Sequence, residues 1–249
     1  MAGLLPPETL HDWGWRVPFL FGLVVGIVGY VLRRDMQDAH TAERSRAPVS
    51  KTFRLHKVLV LRIAGLVAFA AVSFFVTFLY VVSWLQTVSG VAPDRALTIN
   101  TASLGALIVV EVAAGWLSDR VGRKPLLIAA HVLGFISAVP LLWLMHHSAT
   151  APIVLGQLGF VLVGGLAVAS MPALLVESTP AAVRCTAISV GFNVSYGVLG
   201  GLTPLAAAWL VDRTGMDLSP AYLIMAAAVI SFVAVLGLKE TAPAKTGAA

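Results

Sequence analysis

Charge is what this sequence has least of. Only 12% of its 249 residues are Asp, Glu, Lys or Arg, about half the share that normally coats a soluble domain. The shortage excludes an ordinary water-facing surface. A single cysteine, Cys185, excludes an intramolecular disulfide. No HExxH or GxSxG occurs, and no nucleophile sits beside a base within the apolar runs, so no enzyme signature is present. Residues 218–238 contain no lysine, which excludes a retinal Schiff base in the last run. No cofactor or metal-ligand spacing appears, and none is expected to bind. The pI near 9.7 does not point to nucleic acid, because the basic residues fall at the ends of apolar runs rather than on one face.

What is abundant is apolar. Hydrophobic residues make up 58% of the chain and mean hydropathy is +0.89. A bilayer core takes about 20 apolar residues per helix. Uncharged runs of that order lie at 17–32, 63–86, 95–117, 125–146, 151–176, 186–210 and 218–238. The first is short, and Trp13 and Trp15 extend it as interfacial anchors. With no basic segment ahead of it, it does not read as a signal peptide. The fold class expected is therefore all-α, a polytopic transmembrane bundle of seven spans. Val91-Ala92-Pro93-Asp94, Ser178-Thr179-Pro180 and Asp212-Arg213-Thr214-Gly215 punctuate the connectors.

One connector is long. Residues 33–57 carry Arg33, Arg34, Arg44, Arg46, Lys51, Arg54 and Lys57, a solvated loop with room for a short amphipathic helix on the membrane surface. Placing it in the cytoplasm gathers 14 of the 17 Lys and Arg residues on that side, leaving Arg16, Arg95 and Arg213 outside. The positive-inside bias then sets the N-terminus outside and the C-terminus in the cytoplasm of a bacterial inner membrane. Gly197 and Gly201 form a small-xxx-small pair that permits close helix approach.

The connector after the third span reads Gly115-Trp-Leu-Ser-Asp119-Arg120-Val-Gly122-Arg123-Lys124-Pro125. Gly115 permits close packing at a helix end, and Asp119 can take a helix N-terminus or an arginine. Gly122 permits a tight turn, while Arg123 and Lys124 suit an anionic inner surface. This stretch resembles the GxLxDRxGRK motif of the major facilitator superfamily. Trp13-Gly-Trp-Arg-Val-Pro-Phe-Leu20, Glu177-Ser-Thr-Pro-Ala-Ala-Val-Arg184 and Gly200-Gly-Leu-Thr-Pro204 are similar to segments of its metabolite:proton symporters. The resemblance implies that the seven spans are that fold's helices six to twelve. Residues 1–32 are then an external tail with helix six, and 33–57 the central cytoplasmic loop. Residues 58–240 are the six-helix bundle, and 241–249 a cytoplasmic tail. It also implies a truncated C-terminal portion of a carrier that moves a small organic acid or related metabolite with protons. The rival reading is a non-transporting remnant, or a membrane subunit needing the missing helices from a complementing chain.

Polar residues at membrane depth nominate the site. Ser73, Thr77, Tyr80 and Trp84 share a helical face, as do Ser189, Asn193, Tyr196, Gly200 and Thr203, and again Asn100, Ser103, Leu107 and Glu111. Gln157 adds a further polar group. In lipid these faces turn toward helices or a watered cavity. Glu111, the one acid deep in a span, is the proton-coupling candidate; the alternative is a structural pair with His131 or an arginine. Asp119, Arg120, Arg123, Glu177 and Arg184 are expected to form a charge network at the cytoplasmic end.

Overall fold

A computed structural model describes residues 7–34 and 48–242. The middle of the basic loop and the C-terminal tail beyond 242 lie outside the described residues. The chain divides into two units, 1–43 and 44–249. In the first, a short α1 (Pro7–Asp12) and one 3-10 turn (Gly14–Arg16) lead into α2 (Val17–Arg34). Arg16 lies 4.3 Å over the Trp15 ring and donates to the Asp12 carbonyl at 2.7 Å. Its charge therefore ends the apolar stretch on an aromatic anchor, as membrane interfaces favour.

The second unit holds α3 (Pro48–Phe74), α4 (Val81–Thr87), α5 (Pro93–Val121), α6 (Arg123–Met145), α7 (Thr150–Ser178), α8 (Arg184–Asn193), α9 (Gly201–Thr214) and α10 (Pro220–Leu236). No strand occurs among the described residues. The backbone leaves helical geometry at His56 (φ −128°, ψ 25°), so a helical stretch from Pro48 meets the span proper at that break. Whether this stretch is amphipathic turns on side chains through Leu55, which lie outside the described residues. Two π-helical turns, Phe75–Tyr80 and Val194–Gly200, join α3 to α4 and α8 to α9 into continuous spans.

Among the described residues, six helices are long and apolar enough to cross a bilayer: Gly14–Arg34, His56–Thr87, Pro93–Val121, Arg123–Met145, Thr150–Ser178 and Arg184–Thr214. Pro220–Leu236 is a shorter apolar seventh. The chain is an integral membrane protein with a polytopic helix bundle. Most helices overrun the apolar runs because helices stop at backbone signals, not at the lipid boundary. Pro93 opens α5 and Pro220 opens α10, while Gly122 (φ 114°) and Gly215 (φ 65°) end α5 and α9 in conformations that favour glycine.

Lipid tails are as apolar as leucine, so close packing and interhelical hydrogen bonds hold such a bundle. A Cβ on Gly191 would come within 2.5 Å of Ile63, and one on Gly134 would strike the Phe69 ring. Gly197 and Gly201 face open space, so the pair expected to pack does not; Gly191 and Gly200 take that part. Ser231 of α10 enters the hydrogen-bond ladder of α3. Its hydroxyl donates to the Gly65 carbonyl at 2.6 Å and accepts from the Phe69 N–H at 2.9 Å. Those are the two groups an unbroken helix would join to each other.

Candidate functional site

The π-helical turns position the mid-membrane groups. In Phe75–Tyr80 the N–H of Val81 reaches five residues back to the Val76 carbonyl. The wider turn spoils the ladder and leaves carbonyl acceptors for side chains. Gln157 of α7 donates to the Thr77 carbonyl at 3.0 Å and to Asn100 Oδ1 at 3.3 Å. Asn100 of α5 donates to the Phe78 carbonyl at 3.2 Å. Three helices are thereby stitched at one level. The second turn packs against the first: Phe75 and Tyr196 ring centroids lie 6.4 Å apart, and Gly200 meets the Phe75 ring. Tyr196 also stacks on Phe192, with centroids 4.5 Å apart.

The π turn adds a residue to one helical turn, yet Ser73, Thr77 and Trp84 stay on the buried side of the span before and after it. Ser73 and Thr77 border a small cleft with Phe74, Leu107 and Phe160. Trp84 donates its indole N–H to the Asp217 carbonyl at 2.9 Å. Ser103 and Gln157 are buried too. Tyr80, Asn100, Glu111 and Tyr196 are half-buried, and Ser189 and Asn193 are exposed. Glu111 does not pair with His131, which sits edge-on to Phe69 with centroids 5.2 Å apart. It lies instead within electrostatic reach of Tyr196. The less buried polar residues are thus Glu111, Asn193, Tyr80 and Tyr196, of which Tyr196 stands at the aromatic contact of the two π turns.

At the motif end, Arg123 is the hub. It is 9% exposed, and its Nη2 meets Glu177 at 2.9 Å and Asp119 at 3.4 Å. The expected network holds for these three residues only. Arg120 lies 3.8 Å over the Trp116 ring, and Arg184 donates to the Thr179 carbonyl at 3.0 Å. Gly115 meets nothing within 4 Å, so the close approach it permits is unused within the described residues. A residue the sequence reading passed over completes the latch. Glu240 accepts from the backbone N–H groups of Arg123 (3.0 Å) and Lys124 (3.1 Å), capping the first turn of α6, and from those of Thr241 and Ala242. In return Lys124 Nζ donates to the Leu236 and Leu238 carbonyls at 3.1 and 2.7 Å, capping α10. Burial works to raise the Glu240 carboxyl, but the four backbone donors prevail and hold it below its ordinary value. Gly122 is required twice over: for its φ, and because a Cβ there would lie 2.8 Å from Glu240. The signal for Glu240 was a lone acid just past the last apolar run.

Sequence comparison decides what this bundle is. The family model for the Major Facilitator Superfamily matches residues 2–192 and again 96–249. The chain belongs to that superfamily. Among curated relatives, a proline/betaine transporter of Salmonella typhimurium is 28% identical over 97% of this chain and 51% of its own length. A putative proline/betaine transporter of Staphylococcus aureus is 32% identical over 97% and 54%. A proline/betaine transporter of Escherichia coli K12 is 29% identical over 93% and 49%. The chain spans about half the length of the curated relatives it matches. No solved structure matches it. These relatives are named as transporters, not enzymes.

Proposed function

We propose that this superfamily member works in a secondary transporter that carries a small zwitterionic metabolite together with protons across a bacterial inner membrane, its C-terminus in the cytoplasm. The observation that carries the reading is Glu111. It is a carboxyl at membrane depth, half-buried, within electrostatic reach of Tyr196 at the meeting of two π-helical turns. An acid so placed is expensive unless it is used. One that can lose its proton to one side and regain it from the other couples transport to the proton gradient.

The same surroundings favour a cationic head group. Glu111 offers negative charge, and Phe75, Phe192 and Tyr196 offer ring faces that attract ammonium. Among the described residues no lysine or arginine lies in the middle of a span to receive an acid. A dicarboxylate or tricarboxylate, the choice first suggested by the carboxylate symporters, is therefore a poorer fit than a zwitterion whose carboxylate end is held elsewhere. The relatives named for proline and betaine fit this choice.

The test is uptake in proteoliposomes with an imposed proton gradient, by this chain reconstituted with any complementing chain it needs. Glu111→Gln is expected to abolish uphill accumulation of labelled betaine or proline while sparing exchange of labelled for unlabelled solute. Unchanged uphill uptake by the variant would remove the proton role. The rival reading, a membrane chain that only binds a partner, predicts no solute movement at all in the wild-type preparation.

A further inference from the structure

Helix α6 has two ends, and the fastening described so far belongs to the motif end. At the other end the helix closes on His146 and His147. His147 turns back onto its own helix, its Nδ1 lying 3.2 Å from the Trp143 and Leu144 carbonyls. His146 reaches across the bundle instead. Its Nε2 lies 3.1 Å from Asp217 Oδ2, on the connector between α9 and α10. The backbone of Asp217 is held as well, since its carbonyl accepts the Trp84 indole N–H at 2.9 Å. The Trp84 ring then meets the His146 ring edge-on, with centroids 6.1 Å apart. Helix α4, helix α6 and the α9–α10 connector thus converge on one aspartate.

This meeting point is open to water. The His146 and Asp217 side chains are each 45% exposed, and a cleft of about 320 Å³ beside them is bordered by Trp143, His146, Met216, Asp217 and Leu218. A neutral imidazole can give the carboxylate one hydrogen bond, and an imidazolium adds a full charge to the same bond. Imidazole is the side chain whose charge changes between about pH 5 and 8. The other groups at this end do not compete for the pair. Tyr80, within electrostatic reach of Asp217, is a phenol and titrates well outside that range. Asp94 and Arg95 open α5, and Asp212 and Arg213 close α9. None of these four forms an ion pair with His146 or Asp217 among the described residues. His147 is the one other imidazole nearby, and its contacts are with carbonyls.

We propose that His146, Asp217 and Trp84 form a proton-operated clasp at the end of the bundle opposite the motif, tightening as His146 takes up a proton and slackening as it loses one. The sign follows from the charges. The carboxylate and the C-terminus of α6 both favour the imidazolium, so the contribution of the clasp is full in acid and declines as the pH rises. In the orientation proposed above this end faces outward, toward the acid side of the gradient, and the clasp answers to the protons that drive transport. Only that last step rests on the proposed function.

The experiment is hydrogen exchange by NMR on the 249-residue chain in lipid nanodiscs at pH 5.5 and pH 8, corrected for the intrinsic pH dependence of exchange. It involves no solute, so a chain that carries nothing can still show the clasp. The Trp84 indole N–H reports the grip on Asp217, and the Val81 amide in the first π turn serves as the reference for the rest of the bundle. Protection of the indole N–H is expected to be about threefold higher at pH 5.5, the effect of one exposed ion pair, with Val81 unchanged. His146→Gln keeps a neutral donor and should flatten the response. Asp217→Asn, which keeps the backbone carbonyl that holds Trp84, should flatten it too. His147→Gln should leave it intact. Indole protection that is the same at both pH values, that falls in acid, that moves only together with Val81, or that keeps its pH response in His146→Gln would each overturn the proposal.

Discussion

The two polar regions of this bundle solve the same problem in opposite ways. At the motif end, orphaned helix termini meet charged side chains: Glu240 on the N–H groups of α6, Lys124 on the carbonyls of α10, Glu177 on buried Arg123. In the middle of the membrane no cation is available, and the backbone itself is reshaped. There the two π turns sit beside Phe75 and Tyr196, and at the first of them neutral amides of Gln157 and Asn100 take up the exposed carbonyls. Charges near the headgroups are cheap and can be spent on fastening. Charges at depth are expensive, so neutral groups fasten there, and Glu111 takes no part in that fastening among the described residues.

The motif end is broken most severely at its turn. Gly122→Val is expected to cost about 3 kcal/mol, because a β-branched residue cannot hold φ 114° and its Cβ displaces Glu240 from α6. Denaturant titration in mixed micelles would measure it. Gly115→Val is the control, since its Cβ meets open space. If both variants lose similar stability, the turn is not what fastens this end.

The middle is tested by Gln157→Leu. Leucine keeps the volume but leaves the Thr77 carbonyl unanswered in the buried core, and a loss of about 2 kcal/mol is expected. Helix–helix distances by spin labels on α5 and α7 should loosen with it. A fully stable Gln157→Leu chain would show that the widened turn needs no side chain to hold it.

These two regions also differ in how far the sequence discloses them. The motif residues sit at helix ends, where chemistry follows spacing, and an arginine partner for Asp119 was one of the two expected from the motif; the structure supplies it as Arg123. Seven spans were legible because lipid forbids charge in long stretches. Glu240 was hidden because it acts across the bundle on residues 116 and 117 positions away, and no local pattern reports that. The wide turn was hidden for a different reason: Ser73, Thr77, Tyr80 and Trp84 align on a 3.6-residue wheel, and Ser73, Thr77 and Trp84 stay buried across it. Nothing in Phe75-Val-Thr-Phe-Leu-Tyr80 announces a wide turn. Gln157, read only as a further polar group, binds the Thr77 carbonyl that this turn presents.

Acid separates the two regions cleanly. The Glu240 carboxyl titrates below its ordinary value. The stability it contributes is therefore complete above the ordinary carboxylate value, including at neutral pH, and is lost as the pH falls through the lowered folded value. Glu240→Gln should flatten that acid slope and cost about 1 kcal/mol at pH 7, in the range of a lost N-terminal cap. Hydrogen exchange at the Arg123 and Lys124 amides is the local readout. Both amides should quicken in the variant, while the Val81 amide in the first π turn stays protected. An unchanged exchange rate at Arg123 and Lys124 would mean that water replaces the cap at no cost.

The smallest effect sharpens the comparison within the latch itself. Arg123 has two acidic partners that differ in exposure: the Asp119 side chain is 64% exposed and the Glu177 side chain 33%. Asp119 also stands farther off, at 3.4 Å against 2.9 Å. Water screens an exposed pair to a few tenths of a kcal/mol, so Asp119→Asn should change stability by less than about 0.5 kcal/mol. Glu177→Gln strips the nearer partner from a guanidinium whose Nε already lacks one, and an uncompensated buried cation is costly, on the order of 1–3 kcal/mol. The double variant tells whether the two acids act separately. If Arg123 swings to Asp119 once Glu177 is neutral, Asp119→Asn will cost more in the Glu177→Gln background than alone. Such coupling would make Asp119 a second berth for the arginine. Strict additivity would leave it a spectator on the surface, and the family motif's aspartate would then owe its place in this chain to contacts beyond the described residues.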